Sequence, residues 1–88
     1  MPQFMAIHTV APKSITIQQV RDLSQAAQDD PKIKGRHSVG NLTEGKVVCV
    51  VEAPTKADVA AFFKGKGLPV DLITQVEFEG DGTAVKTL

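Results

Sequence analysis

Near the middle of the chain, Val47-Val48-Cys49-Val50-Val51 is apolar at every position. Such a β-branched run reads as a strand from Lys46 to Ala53. Successive side chains of a strand face opposite ways, so Val47, Cys49 and Val51 point to one side and Val48 and Val50 to the other. A first strand, Gln3 to Val10, repeats the pattern, with Phe4, Ala6 and Val10 opposed to Met5 and Ile7. A sheet built round these two segments needs an apolar layer on each face. Yet 88 residues suffice for one domain that buries only about 63% of its unfolded surface.

Between and after these segments the apolar period changes. Ile17, Val20, Leu23 and Ala27 recur three or four apart, which predicts a helix with one buried face. Ser14 or Thr16 is placed to cap its start, and Asp29-Asp30-Pro31 ends it, because the residue before proline avoids helical angles. Lys32 to Leu42 returns to an extended pattern, with Lys32, Lys34 and Arg36 forming a charged edge that discourages stray pairing. Asn41 to Gly45 supplies a turn. Beyond Pro54, Thr55 caps a second helix whose stripe is Val59, Phe62 and Phe63, and Gly65-Lys66-Gly67-Leu68-Pro69 terminates it. Val70 to Phe78 makes the last strand of a single domain over residues 1–79. Residues 80–88 form a tail, either a short extra strand at Ala84 and Val85 or an arm reaching a partner.

The order βαββαβ is that of the ferredoxin-like α+β sandwich. Right-handed crossovers give an antiparallel sheet ordered 4-1-3-2, the first and third strands central. Two helices cover one face only. The apolar reverse face predicts a homodimer packed sheet against sheet, an assembly of the dimeric α/β-barrel type.

Lys and Arg together number 10, as do Asp and Glu, so the net charge is zero. That argues against a dedicated nucleic-acid surface, and the third strand lacks the aromatics with which an RNA-recognition sheet stacks bases. One cysteine excludes an internal disulfide and any CxxC motif. With no apolar run of membrane-spanning length and no basic, apolar leader at Met1-Pro2-Gln3-Phe4, the expected address is the cytoplasm.

Chemistry then rests on few residues. His8 and His37 are candidate metal ligands or acid–base groups, two strand spacings or about 10 Å apart, able to share an ion only if both face the same way. Cys49, among valines, reads as core with a raised pKa. Ser38 beside His37 is no dyad, since neighbours in a strand point apart. Gly65-Lys66-Gly67 follows a helix, whereas phosphate loops precede one. Glu44, Glu52, Asp58, Glu77 and Glu79 form no carboxylate pair by spacing, so no catalytic residue is named. Phe62 and Phe63 are core residues, one of which in a barrel lines a ligand pocket.

Several blocks share an order with a known group: Met1-Pro2-Gln3-Phe4-Met5, His37-Ser38, Val48-Cys49-Val50-Val51-Glu52-Ala53-Pro54, Gly67-Leu68-Pro69-Val70-Asp71 and Ile73-Thr74-Gln75-Val76. Through them the chain resembles a family of small bacterial ferredoxin-like domains of unknown function that includes a nickel-binding protein. The resemblance implies a dimer and, in at least one member, a transition-metal site using histidine, for which His37 is the position that carries over best. The family pattern often has a histidine in the second half of the second helix, where this chain has Phe62, so any site using it is altered or lost here. Imidazole suits nickel, zinc and copper alike. A metallochaperone would need CxxC where the chain has Ala11-Pro12-Lys13-Ser14, and a haem-degrading barrel would need histidine near Phe62 or Phe63. The expected function is a homodimeric protein binding a divalent transition metal or small ligand. The alternatives are a dimeric-barrel oxygenase or isomerase and a ligand-free adaptor.

Overall fold

In the computed structural model, which describes Met1–Leu88, β3 (Lys46–Glu52) is a central strand. It pairs antiparallel with β1 (Gln3–Thr9) and with β2 (Lys34–Asn41), and β4 (Leu72–Gln75) flanks β1. The sheet order β2-β3-β1-β4 is the expected 4-1-3-2 order read from the other edge. Helices α1 (Ile17–Asp29) and α2 (Lys56–Gly65) lie on one face, α1 over β2 and α2 over β1 and β4. No helix is long and apolar enough to cross a membrane.

Local chemistry sets the helix starts. Thr16, not Ser14, caps α1: its hydroxyl accepts from Gln19 N–H at 3.2 Å, and the Gln19 side chain accepts from Thr16 N–H at 2.8 Å. Together they satisfy two backbone donors that a bare helix end leaves free. Thr55 caps α2 by accepting from Asp58 N–H at 3.2 Å. Of the stripe expected on α1, Val20, Leu23 and Ala27 turn to the core, but Ile17 is exposed. It occupies the first turn of the helix.

The core is one cluster in which Phe4, Ala6, Val47, Cys49, Val51 and Ile73 meet Ala27, Val59, Phe62 and Phe63. The other ends of the register are less regular. A bulge between Gly35 and His37 inserts Arg36 into β2, so Gly35 pairs with Val51 and His37 with Val50. Lys32 precedes the strand and meets Asp58 at 3.6 Å instead of joining one basic stripe.

The expected last strand, Val70 to Phe78, is divided. Val76 N–H donates to Gln3 O at 2.9 Å, and there β1 begins, so no sheet partner exists for the next residues. The chain leaves the sheet, and β5 (Phe78–Gly80) pairs with β6 (Val85–Thr87) in a separate two-stranded hairpin. In its turn, Asp81 accepts from Ala84 N–H and from the N–H and hydroxyl of Thr83, which hold its carboxyl down at about 2.

The β2–β3 turn is the least substitutable backbone position. Gly45 adopts φ +78°, and an added Cβ would lie 2.0 Å from Val10 O, while its own carbonyl accepts from Val10 N–H at 2.9 Å. Gly67, at φ +71°, has nothing within 4 Å of such a Cβ. Gly45→Ala is expected to cost about 2–4 kcal/mol, strain plus clash. Gly67→Ala, bearing strain alone, should cost about 1–2 kcal/mol. Urea unfolding of the two variants checks the difference.

Candidate functional site

The two helices stand apart above β3, and the gap between them is a cavity of about 340 Å³. Its floor is Val47, Cys49 and Val51; one wall is Val20, Leu23 and Ala27 of α1, the other Phe62 and Phe63 of α2. The volume lies at the small end of the range for ligand pockets. Gln19, Ser24, Gln28, Arg36, His37, Ser38 and Lys66 supply its polar lining, and no Asp or Glu contributes. Lys66 Nζ lies 5.8 Å from the Phe62 ring centroid. The groove therefore offers an apolar body with cations and neutral donors around it, and no carboxylate for acid–base work. Burial pushes the Cys49 thiol up to about 11, which keeps it protonated and a poor nucleophile near neutral pH.

Phe62 and Phe63 both face this groove, and their rings meet edge to face at 5.2 Å. Sequence reasoning did not foresee Val20 and Leu23 as the opposite wall. Their helical spacing marked them as core, and only the separation of the helices turns part of that stripe into lining.

His8 and His37 are not brought together. His8 pairs with Val47 and is fully buried on the helix-covered face, in line with Phe4 and Ala6. Its Nδ1–H donates to Pro69 O at 2.8 Å, and its ring meets Phe63 edge to face at 4.5 Å. Nε2 is left buried without a partner, a position that disfavours a charged ring. His37 pairs with Val50, whose side chain belongs to the open face, and, next to the bulge, it also borders the groove. The two imidazoles thus lie on opposite sides of the sheet, and one chain cannot direct both at a single ion. Nowhere do three or more His, Cys, Asp or Glu side chains gather closely enough to hold a metal.

The open face carries two cross-strand rows. Val39, Val48, Ile7 and Leu72 form one, and His37, Val50, Met5 and Thr74 the other. Val39 and Leu72 are exposed, and the central four apolar residues half-buried. The C-terminal hairpin does not roof these rows: it pairs with itself, and Phe78 remains 62% exposed.

The fold and groove define a small ferredoxin-like α+β domain. It is similar to the solved structure of SCO4226 from Streptomyces coelicolor A3(2), at TM-score 0.72 and 19% identity, covering 89% of this chain and 99% of that one. Residues 4–76 match the model of the nickel responsive protein SCO4226-like family, and the chain belongs to that family. No curated protein matches the sequence.

Burial of His8 has a consequence for pH. Desolvation holds its imidazole below the ordinary 6.5, against the opposing Pro69 hydrogen bond and the Asp71 charge. The unfolded ring takes up a proton below about 6.5 where the folded ring does not, so stability falls as pH drops through that value and levels off below the folded pKa. Urea midpoints measured from pH 7.5 to 5 should decline in wild type, and His8→Leu should flatten that decline.

Proposed function

We propose that the protein is a cytoplasmic, homodimeric binding protein that pairs through its open sheet face and takes a small, largely apolar ligand between its helices. The observation that carries this is the 340 Å³ groove itself. A packed domain of this size has no mechanical need to hold its helices apart, and the half-buried Val20 and Leu23 of the wall forfeit apolar burial. Arg36 and Lys66 favour a ligand with an anionic end. The absence of lining carboxylates and the protonated Cys49 favour binding over turnover as an oxygenase or isomerase.

A divalent transition metal is the second ligand this chain would take, supported by the nickel-responsive family and by His37, the exposed one of its two histidines. A single chain does not fit the ion, because it gathers no set of three donors. Twofold pairing through the open face supplies a second His37, so metal and dimer are linked. Nickel, zinc and copper all accept imidazole.

The dimer is supported by surface. The chain exposes 5778 Å², against roughly 5,000 Å² expected for a folded monomer of this mass. Sedimentation equilibrium should show a dimer at micromolar concentration, and Val48→Asp, which sets a charge in the centre of the apolar row, should weaken it at least tenfold. Titration calorimetry with decanoate should show uptake by wild type, lost in Val20→Trp, whose ring fills the groove. Titration with Ni²⁺ should show heat in wild type that disappears in His37→Ala. A wild-type groove that takes up no apolar carboxylate would return the protein to the adaptor class.

A further inference from the structure

We infer that the C-terminal hairpin is an exchanged arm, and that in the homodimer each copy lays β5–β6 along the β2 edge of the other. The inference rests on the sheet-face dimer proposed above and assigns its second contact. Phe78, Val85 and Leu88 are 62%, 73% and 53% exposed, although they are the large apolar side chains of the hairpin. An isolated two-stranded hairpin is marginal in water and needs another surface. The hairpin also lies beyond residues 4–76, which match the family.

Within its own body the hairpin does not reach β2. The hairpin leaves from the β4 edge, and β2 is the opposite edge of the sheet, about 14 Å away at three strand spacings. In a second copy the distance vanishes. A twofold axis running along the strands between two facing sheets reverses the strand order, which sets β4 of one copy over β2 of the other. Glu77, immediately after the last sheet-bound residue, then starts at the foreign edge.

That edge is receptive in backbone and charge. All eight residues of β2 are exposed and only one of its sides is paired, which leaves a row of free N–H and C=O groups for an incoming strand. Lys34 and Arg36 lie along it, and Lys32 stands just before it. Lys32 and Arg36 have acidic neighbours within the chain, Asp58 at 3.6 Å and Glu52 at 3.8 Å, while Lys34 forms no such pair. Residues 77–88 hold three acids, Glu77, Glu79 and Asp81, against one lysine, Lys86, which meets Glu79 at 3.3 Å. The arm is therefore acidic and the edge basic.

Area points the same way. The four-stranded face presents a flat footprint of about 440 Å², taking about 19 Å across the strands and about 23 Å along them. A standard interface needs about 800 Å² per partner. The arm supplies the shortfall.

The test uses the full chain. A nitroxide at Thr87→Cys on an unlabelled copy, mixed with ¹⁵N-labelled wild type, should broaden the amides of Lys34–Asn41 in the labelled copy; the buried Cys49 is not expected to take the label. Phe78→Ser/Val85→Ser/Leu88→Ser should raise the dimer dissociation constant at least tenfold, with an unchanged far-ultraviolet spectrum. Broadening absent from β2 in a sample that is dimeric would overturn the arm and leave the sheet-face dimer standing. A wild-type chain that sediments as a monomer would overturn both. Loss of dimer in the arm variant but not in Val48→Asp would overturn the sheet face and, with it, the seat of the arm on β2.

Discussion

The sheet of this protein is apolar on both sides, and its chain has only two helices with which to cover it. β1 and β3 alternate between two apolar faces, so placing α1 and α2 on one side buries Phe4, Ala6, Val47, Cys49 and Val51 and leaves Met5, Ile7, Val48 and Val50 short of cover. Contact between apolar side chains and water is the term a small domain can least tolerate, since its surface is large relative to its core. The groove on one side and the half-buried apolar rows on the other both follow from that shortage.

On the covered side the shortage shows as a gap. The helices divide the sheet between them, α1 over β2 and α2 over β1 and β4, and leave β3 as the floor of a groove. His8 belongs to this side as a structural residue: neutral, anchored to Pro69 O and packed on Phe63. It ties the loop after α2 to β1 and so fixes the position of the aromatic wall. On the open side, His37 stands at the end of the row formed with Val50, Met5 and Thr74. His37 also borders the groove, beside the bulge in β2.

Much of the fold was legible in the residues. The change from period two to period 3.6 located both helices, Thr55 and Pro54 marked the entry to α2, and Gly45 marked the β2–β3 turn. The β-bulge at Arg36 was not legible, because it depends on how β2 is pulled onto β3 and not on a local preference. Nor was the division of the last strand. Ile73 to Phe78 reads as continuous, and it breaks at Val76 only because its neighbour β1 has no residues left to pair with. Of the site, Phe62 and Phe63 were legible as the apolar stripe of α2, whereas the role of α1 in the opposite wall required the distance between the helices.

Alternation and spacing are properties of a chain's covalent order, so the residues alone determined the strands, the helices, their sequence along the chain and the two-faced character of β1 and β3. Which face each histidine occupies followed from register, a relation between strands distant in sequence. The tertiary structure decided it, with His8 paired to Val47 on the covered side and His37 paired to Val50 on the open one. The separation of the helices and the departure of the hairpin from the sheet were decided there too. Each depends on where a neighbouring element ends, and a local pattern carries no record of that.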